Sequence, residues 1–211
     1  MDRFLAQKAF GAMLLASLAS SAYSQRLDPL PQLRPGSVWV NQVQNSGSFG
    51  SGEGDVQSVL VEKSWDGRQF LGVRTSDSTL LIEPESGHWV GLMGEDDQMA
   101  IVWDPPLGWD YPVEVGKSWT RNYQIKFPAH GRSETVEGRQ TVEAYEDVTV
   151  PAGTFKAYRF RWTDNRGAIN TDWFSPEVRL LVKRIQERLP QHPQGQGRRE
   201  SMLKSHNVLK Q

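Results

Sequence analysis

The chain has 211 residues, 24 Lys and Arg against 25 Asp and Glu, and no cysteine. Disulfides and thiolate metal sites are thereby excluded. So near-neutral a balance gives none of the concentrated positive charge that holds nucleic acid.

In chain order, residues 1–24 read as a signal peptide. Arg3 and Lys8 are the early cations, an apolar run of small residues extends from Ala9 to Ala22, and polar chain follows. This is the order of a basic region, a short apolar region and a small-residue cleavage site. Ala22 and Ser24 suit the −3 and −1 positions, so the expected cut is before Gln25, with a cut after Ala22 as the alternative. The run falls short of the roughly 20 apolar residues of a membrane-crossing helix, so no membrane span is expected. No cysteine is present to take a lipid at the cut. Export without disulfides suits a bacterial periplasm or the extracellular medium. The cut leaves 22 basic against 24 acidic residues, a net charge of −2, and about 165 folded residues bury a sufficient core without cross-links.

Beyond residue 30 the pattern is short alternating runs rich in β-branched and aromatic residues, and it predicts strands. They cover 38–43, 56–63, 69–75, 79–83, 88–92, 99–103, 118–127, 133–145, 155–163, 168–174 and 178–187. Trp65-Asp66-Gly67-Arg68 and Asp164-Asn165-Arg166-Gly167 have the Asp/Asn-plus-Gly chemistry of hairpin turns. The run from Leu180 to Leu189 carries both helical and strand spacing; Val178, Leu180 and Val182 favour a strand. Pro35-Gly36-Ser37-Val38-Trp39 matches Val115-Gly116-Lys117-Ser118-Trp119, with Trp89 and Trp173 as a further correspondence, a hint of two related halves joined near 104–114. Residues 191–211, with Arg198, Arg199, Lys204 and Lys210 among Gln, Gly and Pro, read as a disordered basic tail. The expectation is a single curled β-domain over 25–190, all-β, a strongly curved antiparallel meander forming a half-barrel or open barrel.

Chemistry-bearing motifs are weak. His88, His130, His192 and His206 lack metal-ligand spacing, and Glu95-Asp96-Asp97 lacks the pattern of a calcium loop. There is no G-x-S-x-G elbow and no phosphate loop. No enzyme, cofactor or metal site is therefore expected. Aromatic residues are the positive signal, with eight Trp in the chain. Trp103, Trp109 and Tyr111 flank a Pro-Pro segment, and Phe49 sits alone in the Gly/Ser-rich stretch 45–54, which reads as a long hairpin loop or as a lid with Phe49 at its tip. These four are the candidate ligand-binding residues.

The stretch Val148-Thr149-Val150-Pro151-Ala152-Gly153-Thr154-Phe155, then Trp173-Phe174-Ser175-Pro176-Glu177-Val178-Arg179-Leu180-Leu181-Val182-Lys183, resembles a family of uncharacterised exported bacterial β-proteins with V-P-A-G-T-F and W-[YF]-x-P-x-x-G-x-V-K motifs. Pro112 to Trp119 is similar to the same family, and the resemblance covers roughly residues 110–185. Arg179 stands where the family pattern has Gly. The resemblance implies a half-barrel like those of envelope lipid and lipoprotein carriers, and no catalytic residues. The expected function is an exported, non-catalytic protein holding an apolar or amphipathic ligand, or a partner segment, on a concave sheet. Its partner would be a lipid-like molecule or an envelope protein. The rival is a carbohydrate- or cell-wall-binding module using Trp103, Trp109 and Tyr111 as a stacking platform.

Overall fold

A computed structural model describes residues 26–210; the expected signal peptide lies outside them. Two short strands, β1 (Arg26–Leu27) and β8 (Val113–Glu114), pair with each other. The other twelve are β2 (Val38–Gly47), β3 (Gly52–Trp65), β4 (Arg68–Arg74), β5 (Ser78–Ile82), β6 (Trp89–Gly94), β7 (Met99–Leu107), β9 (Ser118–Phe127), β10 (Arg132–Val150), β11 (Gly153–Asp164), β12 (Ala168–Ser175), β13 (Leu180–Arg188) and β14 (Gly197–Asn207). The run at 180–188 is a strand, as its β-branched start indicates. Where the residues resist pairing, the ladder stops: β7 meets β9 only at Val102, Trp103 and Asp104, because Pro105 and Pro106 have no N–H to donate.

The twelve strands form a closed, wholly antiparallel barrel, which corrects the open half-barrel. Closure comes from the segment expected to be disordered. β14 pairs with β13 through Arg188↔Gly197 to Lys183↔Met202, and with β2 through Gly197↔Gly47 to Asn207↔Val38. Leu203 on β14 is fully buried in the core with Trp39, Leu60 and Val182. Composition misjudged the tail because a strand need not be apolar when its neighbours satisfy its backbone on both edges.

The Gly/Ser-rich stretch is mostly ladder, with β2 and β3 pairing up to Asn45↔Gly52. The Asp66-Gly67 hairpin has φ of 48° and 70°, the left-handed pair such a turn requires. Pro151-Ala152 joins β10 to β11, the Ala152 N–H donates to Leu203 O at 3.0 Å, and the turn delivers Phe155 to the core at 8% exposure.

The two halves begin alike. Gly36 and Gly116 have φ of 89° and 91°. Gly36 N–H donates to Leu60 O (2.7 Å) and Leu60 N–H returns to Ser37 O (2.8 Å); Gly116 N–H donates to Val142 O (2.8 Å) and Val142 N–H returns to Lys117 O (2.9 Å). Six barrel strands follow each device, β2–β7 and β9–β14. Trp89 on β6 and Trp173 on β12 fall at different places in the two strand orders, so that part of the correspondence fails.

The barrel's outer wall is charged. Arg159 pairs with Glu143 and Glu146 (2.9 Å each), Lys183 with Glu200 (2.8 Å) and Lys204 with Asp55 (2.6 Å). No helix among the described residues is long and apolar enough to cross a membrane.

Two outcomes are expected from this architecture. Truncation after Pro190 removes β14 and opens two ladders, so the shortened chain should lose its cooperative melt; an unchanged melting temperature would show that β14 does not close the barrel. Arg179, in the family's Gly position, has φ of 57°, so Arg179→Gly should gain up to about 1 kcal/mol while Arg179→Val loses at least as much. Urea midpoints in the reverse order would refute a left-handed backbone there.

Candidate functional site

Eight strands give a lumen that side chains or one small ligand fill, and diameter grows with strand number. Twelve strands therefore leave space. One end of this lumen is plugged by residues 108–117, between β7 and β9. Lys117 Nζ donates to Asp110 O and, at 2.8 Å, to Pro112 O, and the Asp110 carboxylate accepts from Arg121 on β9. Within the plug Val113, brought against Leu27 by the β1–β8 pair, packs with Phe160.

What remains is two chambers of about 720 and 370 Å³. Between them stands a wall to which Trp89, Trp109 and Arg184 contribute, each facing both chambers. Trp109 enters from the plug and lies flat on Phe160, with ring centroids 4.5 Å apart and planes 3° apart; Phe174 meets it edge-on at 4.6 Å. Arg184 on β13 donates from Nε and Nη2 to Asp172 Oδ1 and Oδ2 on β12, at 2.6 and 2.7 Å. It also lies 5.2 Å from the Trp89 ring centre. Burial works against the Arg184 charge, but the Asp172 carboxylate overrides it by charge and hydrogen bond and leaves the guanidinium more basic than usual.

The chambers occupy corresponding places in the two halves. The larger is lined on β2 by Trp39, Asn41, Val43 and Asn45; the smaller on β9 by Trp119, Arg121, Tyr123 and Ile125. Each set alternates along its strand from the Trp that follows the glycine device. Their chemistry has diverged. The larger chamber also presents Ser58, Asp77 and Ser201, whereas the smaller has Trp103, Trp162, Ile101 and Leu92. Gly138 permits this crowding: a Cβ there would sit 2.7 Å from Trp162 Nε1. Burial raises the Tyr123 phenol well above its ordinary pKa, with the Asp164 charge adding to the effect.

All four aromatics singled out in the sequence line the lumen, but they do not form one platform. Trp109 and Tyr111 meet edge to face at 6.4 Å beside the larger chamber, where burial pushes the Tyr111 phenol up to about 12. Trp103 is in the smaller chamber, on β7. Phe49 is at the opposite end of the barrel from the plug, at the β2–β3 turn, also facing the smaller chamber. A flat exposed row of Trp103, Trp109 and Tyr111 is not what the chain builds, since one face of Trp109 is already covered by Phe160.

Sequence reasoning missed the polar members: Arg184 with Asp172, and a basic group at the Phe49 end. There Arg188 lies 3.8 Å and Arg199 5.1 Å from the Phe49 ring centre. Burial, then the charges of Arg199 and Arg166, make Arg188 less basic than an ordinary guanidinium. His192, held nearby, has its pKa lowered by burial and by Arg166 and Arg188, and its Nδ1 accepts the Gln194 N–H at 3.1 Å. The available signal was the alternation Arg184-x-Gln186-x-Arg188 opposite Asn170-x-Asp172.

No protein-family model matches the chain, and no curated protein matches it either. Two solved bacterial structures, each described as a lipoprotein without an assigned role, are similar in fold. One, from Parabacteroides distasonis, has a TM-score of 0.44 at 12% identity, covering 87% of this chain and all of the other. The second, YmcC from Escherichia coli, has a TM-score of 0.44 at 13% identity, covering 80% of this chain and 84% of its own. Similarity at that level carries neither a family nor a function to this chain.

Proposed function

We propose that this is an exported, non-catalytic binding protein whose barrel lumen holds an apolar or amphipathic small molecule. The observation that carries the reading is the smaller chamber, about 370 Å³ walled by Trp103, Trp119 and Trp162 with Ile101 and Ile125. A concave, mainly apolar chamber with a few placed polar groups is the usual form of a small-molecule site. Aromatic walls offer large contact area at little entropic cost. The buried Asp172, already neutralised by a bidentate Arg184, supports binding over acid–base catalysis.

The larger chamber favours a second reading. Asn41, Asn45, Ser58 and Asp77 beside Trp39 and Trp109 suit a polar occupant such as a sugar, held inside the barrel rather than on an exposed platform.

Binding is tested with the neutral fluorophore N-phenyl-1-naphthylamine, whose emission rises in apolar surroundings. A saturable rise at one equivalent is expected, and Ile101→Trp, which fills the smaller chamber, should weaken it by about tenfold or more. A linear, non-saturating rise, or an Ile101→Trp protein that folds and binds as wild type, would overturn the smaller chamber as the site.

A further inference from the structure

Resting on that reading, we infer that the smaller chamber takes a single-chain amphiphile with a carboxylate head, seated on Arg188, and with its chain among the tryptophans. Four arginines face this chamber. Arg121 is paired with Asp110, Arg166 with Glu134 and Asp164 at 3.1 and 3.2 Å, and Arg184 with Asp172. Among the described residues Arg188 has no carboxylate within ion-pair distance. Its Nη1 donates to the carbonyl and hydroxyl oxygens of Ser48, both at 3.2 Å. Among the same residues Nε and Nη2 donate to no acceptor, so one complete edge of the guanidinium fork is unused. That edge matches the two oxygens of one carboxylate.

The surroundings strengthen the case for an anion. Arg188 lies on one ring, Phe49, that also has Arg199 within 5.1 Å. Arg199 spends its Nε on Asn45 Oδ1 at 2.7 Å and makes no ion pair among the described residues, although its charge reaches Asp77 across the larger chamber. Arg188 and His192 thus line this end of the smaller chamber, with Arg199 on the larger-chamber side of Phe49, and the combined positive field of the two arginines attracts an anion. The position is also right for an amphiphile. Arg188, Phe49 and His192 lie at the end away from the plug, while Trp119 and Trp109 lie toward it. A carboxylate at the rim therefore directs its chain inward. At about 370 Å³, near the lower end of ligand-site volumes, the chamber favours one chain over two.

The test compares dodecanoate with dodecan-1-ol, which share a chain and differ in the head, by titration of tryptophan fluorescence near pH 8. Wild type should bind dodecanoate about tenfold or more tightly than the alcohol. Arg188→Met should erase that preference by weakening dodecanoate alone. Equal binding of the two by wild type, or an Arg188→Met protein that weakens both alike, would overturn the head-group assignment and leave the lumen as a binding site. Failure of both molecules to bind would overturn the lumen reading and this inference together. The wild-type comparison decides the matter even where Arg188→Met folds poorly.

Discussion

The ladder between β14 and β2 is the constraint on which the rest of the molecule depends. Without it β2 and β14 are edges, and a long, exposed edge is a template for pairing with other chains. With it, every barrel strand has two neighbours, and the curvature required to close twelve of them sets the lumen width. That width is more than the inward side chains can fill. The plug at 108–117, the Trp109–Phe160 stack and the Arg184–Asp172 pair all divide or occupy space that closure creates.

The paired glycine devices explain why the division falls where it does. Each sets a Trp, 39 or 119, at the start of a strand whose alternate residues line one chamber. The backbone arrangement is repeated, while the lining is not: Asn41, Val43 and Asn45 stand where the second half has Arg121, Tyr123 and Ile125. A repeated frame with two different linings gives one barrel two chemically distinct interiors. The β1–β8 pair, one strand from just before each half, has its second strand in the plug and joins them.

The strands were legible because alternation and turn chemistry act locally. Asp66-Gly67 and Asp164-Asn165-Arg166-Gly167 announced their turns, and β13 declared itself through its branched residues. Closure was not legible. In β14 the inward positions Arg199 and Ser201 face a chamber, so the strand has no buried-apolar pattern and reads as solvated chain. The same blindness hid Arg188 and Arg184. A polar residue pointing into a cavity is indistinguishable, by periodicity alone, from one pointing into water. The aromatics of the site were found because large aromatic residues around a rigid loop are hard to hide in any fold, yet their grouping depended on which strands became neighbours.

The wall between the chambers shows why charge belongs inside such a barrel. An isolated buried guanidinium or carboxylate would be strongly unfavourable, and even a good pair often does no better than apolar residues of the same shape. Arg184 and Asp172 are not shielded on all sides, however: a quarter of the Arg184 side chain remains accessible, facing the chambers. The pair therefore keeps some of its solvation while its bidentate geometry pins β12 to β13 at the wall that Trp89 and Trp109 also form. An apolar substitute of equal volume would fill the same space but would leave the wall shared by the chambers without charge, against the polar lining of Asn41, Asn45 and Ser58 on the larger side. The ion pair instead places charge in the wall that the two differently lined chambers share.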